Sequence, residues 1–383
     1  MSPHPLSFAS LDFAQTPFLV VWEVTQACPL VCRHCRAEAQ DRRDPNELTL
    51  EEGKRLLAQI KEMGTPVCVL SGGDPLRRED LTELVRHGVD LGLRMATIPV
   101  ASHELSRDHL AALQDAGIAQ VAFSLDGATA ELHDSFRQVP ETFVRTLRAL
   151  EWGHSLGLAL QINTTFARFN RDAIDSLIHL VEGAGIVFWE VFSLVPVGRG
   201  TVLQPLSADE HEVLFGKLYE LSKRVDFIIK LTEAPHYRRF VLRERAREGV
   251  ARAAAPRSKS AVPAQLSREL STRESFGAHA KGINSAKGFC FVSHTGEVFP
   301  SGFFPVPVGN VRDRPLADLY RNTDLFRRLR DPKLLRGRCG ACEYADVCGG
   351  SRARALAMHG DYLAEDPACA YVPSGYHKRA ASS

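Results

Sequence analysis

No stretch of the 383 residues is long and apolar enough to span a bilayer. The chain also lacks an opening basic segment followed by a long apolar run, so no secretory signal is expected. A charge bias is missing as well: Lys and Arg number 47 against 46 Asp and Glu, which leaves no global field to draw nucleic acid or a membrane surface. These absences point to a cytoplasmic protein. Charged residues at 24% and hydrophobic residues at 44% are ordinary for a globular chain, and the length suggests two domains, or one with a large extension.

Complete disulfide pairing is excluded too, because the nine cysteines are odd in number, and a reducing compartment disfavours disulfides in any case. Their placement says more. Cys28, Cys32 and Cys35 cluster near the start, and Cys339, Cys342, Cys348 and Cys369 near the end. Cys68 and Cys290 stand alone in strand-like runs and read as small core residues. The two clusters read as metal sites.

Apolar, partly β-branched runs at residues 18–24, 67–70, 93–98, 120–125, 158–163 and 187–194 alternate with helical patterns. Such short runs suit strands of a parallel sheet covered on both faces. Thr49 with Glu52 forms a capping box ahead of an apolar stripe at Leu56, Leu57, Ile60 and Met63. Ser207 with Glu210 forms a second box, and Ser106 and Asn170 are expected N-caps. Six strand–helix units fit an α/β fold, an open partial (β/α)6 TIM-like barrel, with reactive groups beyond the carboxyl ends of the strands.

The expected organisation is an N-terminal tail (1–16), the barrel (17–205), a helical bridging segment (206–249), a linker or mobile loop (250–280), a C-terminal module (281–373) and a tail (374–383). Pro235 is expected to open a helix through Arg247. A hairpin is expected between 289 and 299, in a compact module stapled by metal and not by a large core.

Immediately after the first strand, Cys28, Cys32 and Cys35 are separated by three and then two residues. Three thiolates suit three irons of a cubane cluster and leave the fourth open; structural zinc usually takes four protein ligands. This spacing resembles the signature of the radical S-adenosylmethionine superfamily. The resemblance implies a 4Fe–4S cluster on these cysteines whose open iron chelates S-adenosylmethionine, with His34 near the adenine. Gly72-Gly73-Asp74 resembles the family's Gly-Gly-Glu motif for the methionine amino group, with the shorter carboxylate as a departure. Ser124 and Asp126 resemble a segment near the methionine carboxylate and ribose. Asn163 offers a polar group at a strand end, and Gly198 lies in a segment that resembles the loop closing on adenine. The resemblance covers roughly residues 17–205.

Cys339, Cys342, Cys348 and Cys369 resemble the C-terminal SPASM module of that superfamily, which binds auxiliary clusters. Several of the module's cysteines are missing: the sequence reads Ser301 and Ser351 at two of the positions. The retained four imply one auxiliary 4Fe–4S cluster, although four cysteines also suit zinc.

The implied activity is reductive cleavage of S-adenosylmethionine to a 5′-deoxyadenosyl radical that abstracts hydrogen from a substrate carbon. The C-terminal run around Cys348, Arg352, Arg354 and Cys369 resembles SPASM enzymes of haem and haem d1 biosynthesis, implying a tetrapyrrole substrate. Maturation of a ribosomally made peptide is the alternative. With about sixteen residues before the first strand, a small substrate is the expectation. A zinc-stabilised binding protein is the non-enzymatic alternative. A flavodoxin or ferredoxin type of electron donor is implied, with neither nucleic acid nor membrane as partner. Glu233, His236 and Tyr237 are the candidate catalytic residues, as an acid, a histidine and a phenol beside arginines.

Overall fold

A computed structural model describes residues 11–249, 282–374 and 376 of the chain; the 250–280 segment lies outside the described residues. Seven parallel strands follow in chain order: β1 (Leu19–Glu23), β2 (Val67–Ser71), β3 (Arg94–Thr97), β4 (Gln120–Ser124), β5 (Leu160–Phe166), β6 (Phe188–Ser193) and β7 (Ile228–Thr232). They form a half-barrel that β8 (Phe289–Val292) extends by pairing parallel to β1, and β9 (Val298–Phe299) closes the edge antiparallel to β8. The six-stranded expectation thus gains a seventh strand. Within the segment expected as a helical bridge, Lys230 of β7 sits opposite Glu190 of β6 and binds its carboxylate at 2.7 Å, a cross-strand pair that the local pattern does not advertise. The predicted hairpin exists, but its first strand belongs to the barrel sheet.

The period of two along each strand divides the sheet into two faces. Val20 and Trp22 of β1 and Cys68 and Leu70 of β2 are wholly buried against the surrounding helices. Cys68 and Cys290 lie on either side of Val20 in the sheet, as core residues. The alternate positions, such as Leu19, Val21, Val67 and Val69, line a central cavity instead. A continuous apolar run therefore serves a helix layer on one face and a cavity on the other.

Helices α1 (Leu50–Glu62), α2 (Leu81–Asp90), α3 (Arg107–Asp115), α4 (Ala130–Arg137), α5 (Thr142–Ser155), α6 (Ile174–Glu182) and α7 (Ala208–Ser222) cross between strands, and α8 (His236–Arg247) follows β7. The capping boxes at Thr49 and Ser207 are present, and Ser106 caps α3. Asn170 is not an N-cap: α6 starts at Ile174. The Asn170 amide reaches inward to the carbonyls of Asp126 and Thr165, both at 2.9 Å, and accepts from the Ala167 N–H at 3.0 Å. Three buried backbone partners outweigh one cap.

Past the hairpin come α9 (Leu316–Asn322), α10 (Asp324–Arg330), α11 (Gly337–Gly340) and α12 (Arg352–His359). Leu316, Leu319, Tyr320 and Phe326 join the same apolar cluster as Trp22, so this part shares the main core and does not depend on metal alone. The tail is not free from residue 11 onward: Phe13 is buried, and its carbonyl accepts from the Tyr320 hydroxyl at 2.7 Å. Among the described residues no helix is long and apolar enough to cross a membrane.

Candidate functional site

The loop after β1 carries the first cysteine set, and neighbouring loops lock it. Thr25 donates its hydroxyl to Glu47 at 2.5 Å. From the loop after β2, the N–H groups of Gly73 and Asp74 bond to the carbonyls of Thr25 (2.8 Å) and Ala27 (2.7 Å). A methyl group at Gly73 would lie 2.5 Å from the Gln26 carbonyl, so only glycine lets the two loops touch. From the loop after β6, Gly198 (φ 53°) rests on the carbonyls of Cys35 and Arg36. Arg199 donates its N–H to the Cys35 carbonyl at 3.0 Å and its guanidinium to the carbonyls of Cys32 (3.1 Å) and Ala39 (3.3 Å).

Cys28, Cys32 and Cys35 all line the central cavity, whose volume is about 350 Å³. Each sulfur meets an N–H donor: Leu30 N for Cys28 (3.4 Å), Ala39 N for Cys35 (3.5 Å) and Arg137 Nη1 for Cys32 (3.8 Å). Burial pushes the Cys28 thiol up to about 12 and raises that of Cys32. As bare thiols Cys28 and Cys32 keep their protons, and binding of iron must displace them. Soft sulfur donors with N–H groups aimed at them fit a four-iron cluster held by three cysteines.

His34, Gly72, Gly73, Ser124 and Asn163 lie on the cavity wall. His34 stacks on Phe136 with centroids 4.4 Å apart, and Phe136 stacks on Phe169. Burial lowers the His34 imidazole to about 3, so the ring is neutral; its Nδ1 is buried without a partner. Asp74, Asp126 and Gly198 stand behind the wall. Asp74 accepts through Oδ1 from the N–H groups of Leu76 (3.2 Å) and Val100 (3.3 Å), while Oδ2 is buried and unpartnered. Desolvation raises its carboxyl to about 7. Asp126 receives Arg137 Nε at 2.8 Å and the Thr165 N–H at 2.7 Å. Burial acts to raise its carboxyl, but the adjacent guanidinium holds it below the usual range. The unsatisfied Nδ1 of His34 on the wall is what a polar ligand such as S-adenosylmethionine would complete.

Cys339, Cys342, Cys348 and Cys369 come together around a second, smaller cavity with His236, Arg239 and Tyr371. N–H groups of Asp366, Tyr344 and Gly350 reach Cys339, Cys342 and Cys348, each at 3.4 Å, and Arg352 Nη2 approaches Cys339 at 3.6 Å. Four soft donors so arranged fit a fully ligated cluster.

Of the three candidate catalytic residues, only Glu233 reaches the central cavity. Its carboxylate takes Ser351 Oγ at 2.5 Å and Ser301 Oγ at 3.4 Å, so the two serines noted in place of cysteine converge on one acid. Burial raises that carboxyl above the ordinary glutamate value. Arg354 binds the Glu233 carbonyl and Ser193 Oγ, both at 2.6 Å, and Asp366 at 3.2 Å. His236 is wholly buried, 3.8 Å from Asp366 and beside the second cysteine set. Tyr237 packs on Phe215 and Phe240, because consecutive helical positions point about 100° apart. Arg36 and Arg137 were not legible as site residues. Arg137 is 105 residues from Cys32, and no local pattern announces such a pair.

The description Radical SAM superfamily matches residues 22–181. An AdoMet-dependent heme synthase of Oleidesulfovibrio alaskensis is 39% identical over 359 residues, covering 93% of this chain and 87% of that protein. One from Methanosarcina barkeri is 38% identical over 364 residues, covering 95% and 99%. The crystal structure of Streptococcus suis SuiB bound to S-adenosylmethionine shares the fold, with a TM-score of 0.68 at 15% identity, over 93% of this chain and 78% of that one. With full-length relatives at this identity and three cysteines locked at the mouth of a half-barrel, the chain belongs to the radical SAM superfamily and is an enzyme that uses a 4Fe–4S cluster and S-adenosylmethionine.

Proposed function

We propose that this enzyme acts on an iron tetrapyrrole, converting carboxylate-bearing side chains of the ring to vinyl groups, the work of a haem synthase. The observation that carries the reading is the two-sided cavity. One wall is apolar, built from Leu19, Val21, Val67, Val69, Phe289 and Phe291. The other is a hydrogen-bonded row: Gln161 Nε2 reaches Asn163 (2.6 Å) and Glu190 (3.0 Å), and Lys230 and Thr232 reach Glu190 at 2.7 and 2.6 Å. Among the described residues six cationic side chains line the cavity against two carboxylates, Glu190 and Glu233. A flat ring with acidic substituents matches that division. Full-length relatives that carry the name AdoMet-dependent heme synthase support it.

When bound, the cofactors supply one-electron cleavage of S-adenosylmethionine and hydrogen abstraction from an unactivated carbon. Each side chain would lose one hydrogen atom, carbon dioxide and one electron, and that electron balances the one the cleavage consumes. Cys28, Cys32 and Cys35 would hold the first cluster. His34, Gly72, Gly73, Ser124 and Asn163 would border S-adenosylmethionine, with Asp74, Asp126 and Gly198 supporting them. Cys339, Cys342, Cys348 and Cys369 would hold one auxiliary 4Fe–4S cluster. The buried wall excludes water from the reacting carbon, and Glu233 would hold a proton at the cavity edge. A cytoplasmic flavodoxin or ferredoxin would serve as electron donor.

The test is an anaerobic reaction of the reconstituted enzyme with iron coproporphyrin III, S-adenosylmethionine and a reductant. The expected result is 5′-deoxyadenosine above background, with carbon dioxide loss and vinyl groups seen by mass spectrometry. Cleavage without any change in the porphyrin would refute the reading.

A further inference from the structure

One corner of the central cavity holds a cation with no carboxylate beside it among the described residues. Arg238, on the first turn of α8, lines it together with Ile283, Asn284 and Ser285 from the segment that leads into β8. The guanidinium donates to the Ile283 carbonyl from both terminal nitrogens (3.2 Å each) and to the Val347 carbonyl (3.3 Å). Among the described residues no carboxylate pairs with it. Three other cations on the wall are neutralised within the chain: Lys230 by Glu190, Arg36 by Glu23 at 3.0 Å, and Arg137 by Asp126. A half-buried guanidinium held by carbonyls alone keeps a full charge to satisfy.

A second observation comes from the same corner. The Ser285 hydroxyl is buried without any hydrogen-bond partner. Its backbone N–H is taken by Asn284 Oδ1 at 2.9 Å, and the Asn284 amide is spent on the carbonyls of Gly350 (2.7 Å) and Cys348 (3.3 Å). Gly282 leaves room for the arginine, since a methyl group there would sit 2.5 Å from Arg238 Nη1. The slot is therefore fitted to a guanidinium, and its unspent polar capacity is one cation and one hydroxyl.

We infer that Arg238 and Ser285 form a binding site for a carboxylate of the substrate, anchoring one acidic side chain of the ring at the α8 corner of the cavity. The inference rests on the tetrapyrrole reading and adds to it the residues that grip the acid. Arginine suits a carboxylate because its planar fork presents parallel donors, and serine adds a third. Anchoring one acid would orient the ring in the cavity and set which side chain meets the reacting centre.

The experiment is equilibrium binding to the enzyme carrying both clusters, with no turnover. Iron coproporphyrin III and its tetramethyl ester are each titrated and followed by the Soret band. Wild type is expected to prefer the acid to the ester. Arg238→Gln is expected to weaken the acid by about tenfold to a hundredfold and leave the ester unchanged, the range for losing hydrogen bonds to a charged group. Ser285→Ala should weaken the acid by a few fold, and Arg238→Lys should restore part of the loss. Iron per chain should be the same in every variant. Equal weakening of acid and ester in Arg238→Gln, or loss of iron, would show that the arginine only braces the Ile283 and Val347 backbone and would overturn the inference. A Ser285→Ala protein with unaltered preference would remove the serine from the site. Failure of wild type to bind either porphyrin would instead defeat the tetrapyrrole reading itself.

Discussion

Arg137→Met tests whether the buried pair behind the first cysteine set supports the fold as the geometry implies. Asp126 is fully buried, and Arg137 is nearly so. The guanidinium also approaches Cys32 Sγ at 3.8 Å. Methionine keeps most of the volume and removes the charge, leaving Asp126 with the Thr165 N–H at 2.7 Å and without its counter-ion. Breaking a buried pair from one side costs about 3–5 kcal/mol. The sign with pH follows from the carboxyl. In the wild type its folded value is depressed, so it contributes stability that is present above the unfolded value of about 4 and lost as pH falls through the folded one. In the variant burial acts unopposed and raises the carboxyl. The deficit is then largest at neutral pH and shrinks as acid protonates Asp126. Denaturant unfolding between pH 5 and 8 measures it, and the double variant Arg137→Met/Asp126→Asn should recover most of the loss because no buried charge is left. A single variant as stable as wild type at pH 7.5, or a double variant no better than the single, would refute the argument.

Three further outcomes follow from the two cysteine sets. Replacing Cys28, Cys32 and Cys35 together with alanine should remove about half of roughly eight irons and abolish cleavage of S-adenosylmethionine, measured as 5′-deoxyadenosine; normal cleavage would contradict the assignment. Cys290→Ser should leave iron, sulfide and Mössbauer spectra unchanged, since Cys290 is wholly buried beside Val20, whereas Cys348→Ala should lose one cluster and keep the other. Gly73→Ala should disturb the first site selectively, because its methyl group would press on the Gln26 carbonyl of the cysteine loop: iron at the first site and binding of S-adenosylmethionine should fall while the second cluster stays. Full loading of both sites in that variant would mean that the loops can part without consequence.

Much of the site is legible in the sequence itself. The spacing of Cys28, Cys32 and Cys35 is a property of eight consecutive residues, and each capping box, at Thr49 and at Ser207, of four. Donor type and local reach decide such features, and both are written in order along the chain. Asn170 shows where this fails. As a residue type it is a good cap, yet its amide serves Asp126, 44 residues away, because buried carbonyls compete for it once the barrel has closed.

The cysteine sets, the strand–helix alternation and the family they imply came from the chain order, since thiolate chemistry and hydrophobic period need no distant partner. Folding alone settled which polar groups would meet. Glu233 collects Ser351 from 118 positions away, Arg137 finds Cys32 across 105, and Arg238 is seated on Val347 across 109. In water each of these groups has no preference for its partner. Once buried, each must find a donor or acceptor or carry the full cost of desolvation, and the packing of β7, α8 and the C-terminal module determines which partner lies within reach.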